Sequence, residues 1–88
     1  MPPTTDIYLT ALTPGHCAHV VALGPGLQGM ERRRLLDLGL TPGTKVAYGM
    51  GNPLGDPVAY RIRGALIALR ATQAQHIQIT PPQPCSRN

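Results

Sequence analysis

VAYRIRGALIAL, residues 58–69, sets the fold class. Val58, Tyr60 and Ile62 alternate with Ala59, Arg61 and Arg63, the period of two expected of a strand with one face in a core and the other in water. After Gly64 the apolar run of Leu66, Ile67 and Leu69 makes a second strand that ends at Arg70. One glycine between two such runs leaves room only for a tight turn.

The same alternation recurs upstream, where Val46, Tyr48 and Met50 interleave with Lys45, Ala47 and Gly49. Gly51-Asn52-Pro53-Leu54-Gly55-Asp56-Pro57 is a turn-rich loop, with Asp56 read as an Asx-turn residue. Downstream, Ala71 to Gln75 suits one helical turn and His76 to Ile79 a last strand. Near the start, Thr13-Pro14-Gly15 launches HCAHVVAL, in which Val20, Val21 and Leu23 favour a strand ended by Gly24-Pro25-Gly26.

The period changes once. From about Gln28 to Leu38, Leu35, Leu36 and Leu38 gather on one side of a helical wheel, opposite Arg33, Arg34 and Asp37. Gly39 stands where a left-handed cap is wanted, and Pro42 blocks continuation. The predicted fold is therefore mainly β, with about five or six short strands and one inserted helix. Strands so short hide their edges most economically by curling into a small barrel. Its predicted core is Leu35, Leu38, Val46, Val58, Ile62, Leu69 and Ile77.

At 88 residues the chain is one domain, burying about 60 to 65% of its unfolded surface. Phe and Trp are absent, so aliphatic packing carries stability. The formal charge of +4 favours acidic partners. Of the two cysteines, Cys85 lies in the proline-rich stretch PPQPCSRN, which reads as unstructured. Both are therefore expected to be free thiols in a reducing compartment. No leader-like segment or apolar run of about 20 residues is present, and a cytoplasmic location is expected. Residues 1–6 and 81–88 are expected to be disordered, leaving 7–80 as the folded domain.

LLDLGLTPGTKV (35–46), PLGDPVAYRIRGALIALR (53–70) and AQHIQI (74–79), with Leu9, Leu12 and Gly15 upstream, resemble the FeoA family of ferrous iron transport proteins. The resemblance implies an SH3-like small barrel. It also implies a non-enzymatic cytoplasmic accessory of the FeoB membrane transporter, which carries a GTPase domain, with protein contact as the mode of action. Pairing of two copies through edge strands is left open, and no insertion into the membrane is implied.

Arg32, Arg33 and Arg34 offer a docking patch for an acidic partner, with a solvated helix face as the plainer reading. Leu36, Leu40 and Leu54 are expected to line a cleft between helix and barrel that receives an apolar side chain. His16, Cys17 and His19 are the metal candidates, although strand geometry puts Cys17 and His19 on one face and His16 on the other. No cofactor is required on this reading; a bound transition metal, Zn or Fe, belongs to the rival reading of a regulatory metal-binding module. Nucleic acid is a further rival, through Arg61, Arg63 and Arg70, but Tyr48 and Tyr60 are expected to face inward and leave no stacking platform. Catalysis is not expected: Asp6, Glu31, Asp37 and Asp56 are the only carboxylates, none beside another, and no phosphate-binding glycine loop occurs.

Overall fold

A computed structural model describes residues 6–85. The chain is mainly β. Its elements run β1 (Ile7–Tyr8), a 3-10 turn (Leu9–Ala11), β2 (His16–Leu23), α1 (Gly29–Asp37), β3 (Lys45–Met50), β4 (Val58–Ile62), β5 (Ala65–Leu69), α2 (Ala71–Ala74), β6 (Ile77–Ile79) and β7 (Gln83–Pro84). All pairings are antiparallel, in the order β1-β6-β2-β3-β4-β5, with β7 also on β2. β1 and β5 end this path and are not bonded to each other, so the sheet wraps its core without closing into the expected barrel.

The β4–β5 hairpin forms as its alternation requires. Arg63 and Gly64 bridge it with positive φ values of 51° and 79°, the two-residue turn whose twist matches the flanking strands. β3 joins β4 with Val46 opposite Ile62 and Ala47 opposite Arg61. β2 is the pivot. Its first half pairs with β3 (Cys17 opposite Ala47, His19 opposite Lys45), and its second half pairs with β6 on the other edge. β7 takes that same edge farther along, with Cys17 opposite Gln83. β6 and β7 are thus two parts of one path, interrupted by Pro81 and Pro82, which lack the N–H a ladder needs.

α1 ends in a Schellman motif: Gly39 N–H donates to the Leu36 carbonyl (3.0 Å) and Leu40 N–H to the Leu35 carbonyl (3.1 Å). Gly39 adopts φ 110°, a left-handed conformation open to glycine. The reversal decides which leucine is inside. Leu40 is fully buried, whereas Leu38, expected in the core, is 36% exposed. Leu35, Val46, Ile62, Leu69 and Ile77 are core residues as expected, joined by Leu9, Leu12, Val20 and Leu27, while Val58 packs half-buried against them.

The cysteines depart from expectation. Cys17 and Cys85 form a disulfide across a Cα–Cα distance of 5.2 Å, within the span such a bridge needs. The expectation of free thiols fails because spacing along a chain says nothing about proximity across strands. Residues 81–85 are likewise not frayed: β7 pairs with β2, and Cys85 N–H donates to the Gly15 carbonyl at 2.9 Å. The expected disorder of residues 1–5 and 86–88 falls outside the described residues.

Candidate partner-docking surface

The arginine triad is divided by the fold. Arg32 Nη1 lies 3.1–3.2 Å from the carbonyl oxygens of Leu23, Gly24 and Leu27. It ties α1 to the turn that ends β2, a structural task, and is unavailable to a partner. Arg33 faces water, 4.0 Å from Asp37 of the next turn, a pairing that solvent largely screens. Arg34 is exposed on the flank of α1.

The three leucines part in the same way. Leu40, expected to line the cleft, is locked in the core by the reversal at Gly39. Leu36 is half-buried against that core. Leu54 is 89% exposed at the tip of the β3–β4 loop, where Asn52 Oδ1 accepts from its N–H at 2.8 Å. Asp56 is no Asx-turn residue: its Oδ1 accepts from Ala71 N–H at 2.8 Å and caps α2 from outside.

What the fold builds is a groove of about 560 Å³ between α1 and β5. Leu38, Leu66 and Ile67 give it an apolar lining, with Arg34 and Arg70 as its cationic members. Gln73, also in the lining, donates to Glu31 Oε2 at 3.2 Å, which joins α2 to α1 there. β5 ends the strand order, so one side of Ala65–Leu69 pairs with β4 while the other has no strand beside it among the described residues. Leu66 on this edge is 47% exposed. The exposed Leu38 and the unpaired edge were missed from sequence, because a helical wheel cannot place its last residue and strand order is a non-local fact.

The metal candidates do not converge. Cys17 sulfur is committed to the disulfide and offers no thiolate to an ion. His16 Nδ1 lies 3.1 Å from Thr13 Oγ1 and 3.2 Å from the Pro14 carbonyl, while His19 is exposed farther along β2. Among the described residues no three of His, Cys, Asp and Glu gather as a ligand set. The tyrosines lie as expected for a surface without stacking platforms: Tyr60 is buried and meets half-buried Tyr48 edge-on, ring centres 6.2 Å apart. Burial raises the Tyr60 pKa above its usual value, and the negative charges of ionised Tyr48 and Asp56 add to the shift. Arg61, Arg63 and Arg70 are all exposed.

With this geometry in view, comparisons with known proteins are specific. Among the described residues no helix is long and apolar enough to cross a membrane. A search of curated proteins gives no match. Among solved structures, the FeoA protein of Chlorobium tepidum superposes with a TM-score of 0.75 at 34% identity, over 83% of this chain and 68% of its own. A FeoA-like protein of Clostridium acetobutylicum gives 0.75 at 29%, over 89% and 88%. Stenotrophomonas maltophilia FeoA, solved with zinc and described as an SH3 domain protein and candidate ferrous iron transport activating factor, gives 0.72 at 25%, over 84% and 89%. The family model for the FeoA domain matches residues 7–81, and the chain belongs to that family.

Proposed function

We propose that this protein is a non-enzymatic cytoplasmic accessory of FeoB-type ferrous iron uptake, acting by contact with the cytoplasmic region of the transporter. Its family and the activating role suggested for the Stenotrophomonas relative support this reading. The observation that carries it is the unpaired apolar edge of β5 beside the α1 groove. An extended segment of the transporter adds to β5 through backbone hydrogen bonds and sets one apolar side chain over Leu38 and Ile67 and the next beside Leu66, on the opposite face of the strand. Arg34 and Arg70 then meet acidic residues flanking the first side chain. Leu54 and Pro57 extend the contact along the β3–β4 loop.

The carboxylates support a role without catalysis. Asp6 accepts from Gln78, Glu31 from Gln73 and Asp56 from Ala71, while Asp37 lies beside Arg33. Asp6, Glu31 and Asp56 thereby hold elements together, while Asp37 stays on the exposed face of α1.

The test is a pull-down with the cytoplasmic region of a FeoB-type transporter, with and without guanine nucleotide. Wild type is expected to be retained, and Leu66→Glu and Arg34→Glu to be lost. Absence of wild-type retention, or full retention of Leu66→Glu, refutes the reading.

A further inference from the structure

A second groove, of about 580 Å³, lies along β3 on the solvent face of the sheet, away from the α1 groove. The register builds it. Ala47 pairs with Cys17 on one side and Arg61 on the other, so a methyl group forms the floor between two taller walls. One wall is Arg61 and Arg63; the other is the Cys17–Cys85 disulfide. Val46 pairs with Ile62 and Ala47 with Arg61, so Lys45 on β3 and Arg61 on β4 are diagonal neighbours on this face, with Arg63 in the turn just beyond Ile62.

Like charges placed across a sheet repel. Nothing nearby offsets them: among the described residues the only ion pair is Arg33 with Asp37, on α1. Arg63 Nη2 reaches only the hydroxyl of Thr41, at 3.5 Å. We infer that this groove is a second docking site, which takes an extended, carboxylate-rich segment of a partner protein.

The spacing of the cations selects that occupant. Lys45 and Arg61 stand diagonally across β3 and β4, roughly 7 to 8 Å apart. Every second side chain of an extended polypeptide repeats at roughly 7 Å, so alternate Asp or Glu residues meet both cations. A nucleic acid would want several stacking surfaces, and the groove has one aromatic in its lining, Tyr48, half-buried edge-on against the buried Tyr60. A lipid surface is flat, whereas these cations line a concavity.

The test is a titration of the 15N-labelled, disulfide-bonded protein, at low salt, with a short peptide of alternating glutamate and serine. Amide shifts are expected at Lys45, Ala47, Arg61 and Gly64, and none with the glutamine–serine counterpart. Lys45→Glu with Arg61→Glu is expected to weaken binding about tenfold or more, and Arg33→Glu to change it less than about twofold. Both positions are exposed, and an unchanged dispersed spectrum confirms that the double variant is folded. Shifts confined to α1 and β5, an equal response to the neutral peptide, or tighter binding of oligothymidylate or phosphatidylserine vesicles by the same residues would overturn the inference. The β5 contact is scored separately, since Arg34→Glu, on α1, is expected to lose the transporter and to bind the acidic peptide normally.

Discussion

Arg32 Nη1 donates to the Leu23 carbonyl oxygen at 3.2 Å, joining a helical cation to the last residue of β2. The same nitrogen is within reach of the Gly24 and Leu27 carbonyls. Two N–H groups serve three acceptors, so one hydrogen is shared. Hydrogen bonds from a charged donor in a half-buried site are worth more than neutral ones. Arg32→Ala should lower the unfolding free energy by about 2 kcal/mol. Arg33→Ala and Arg34→Ala should leave the urea midpoint unchanged, and Arg32→Lys should recover only part of the loss, lacking the planar fork.

Leu38 and Leu40 make a matched pair for testing the cap of α1. Leu40→Ala empties a fully buried site and should cost about 2 to 5 kcal/mol. Leu38→Ala, at a residue 36% exposed, should cost less than about 1 kcal/mol. Denaturant titrations of the two variants give the comparison directly; equal losses would place both leucines in the core.

The disulfide closes a loop spanning 68 positions, which by chain entropy stabilises the fold by about 4 kcal/mol. Cys85→Ser should lower the urea midpoint accordingly. Wild type in reductant should unfold with that variant, and amides of β7 should lose hydrogen-exchange protection first, since two residues of pairing then hold it alone.

Tyr60 gives the protein an alkaline limit. Burial, then the ionised forms of Tyr48 and Asp56, raises its pKa in the folded state above the value of about 10 in the unfolded chain. Above that pH the unfolded state releases its proton first, so stability is full below about pH 10 and falls as pH rises further. Tyr60→Phe should flatten this fall, as followed by the denaturation midpoint across alkaline pH.

Strands with several alternating residues were legible in the sequence, because burial on one face writes itself into every second position. The helix and its stop at Gly39 were legible for a similar reason. β1 and β7 were not, being two residues each, too short to show a period. The position of Leu38 was misread because a wheel assumes helix where the chain is already turning. Arg32 looked like surface charge, since a long side chain that folds back onto loop carbonyls leaves no trace in spacing. The docking groove was half legible: Arg34 and Leu54 stand at the surface, but its floor comes from β5, whose place at the end of the sheet depends on pairings across the whole chain.

The bridge between Cys17 and Cys85 also decides how the molecule carries load. Tension applied to the backbone outside these two residues passes through the S–S bond and bypasses everything between them. β3, β4, β5 and α1 therefore sit in a mechanically shielded ring. Pulled from its ends, the oxidised protein gives up β1 and the core residues Leu9 and Leu12 before the force meets the bridge, and the backbone between the two cysteines bears none of it.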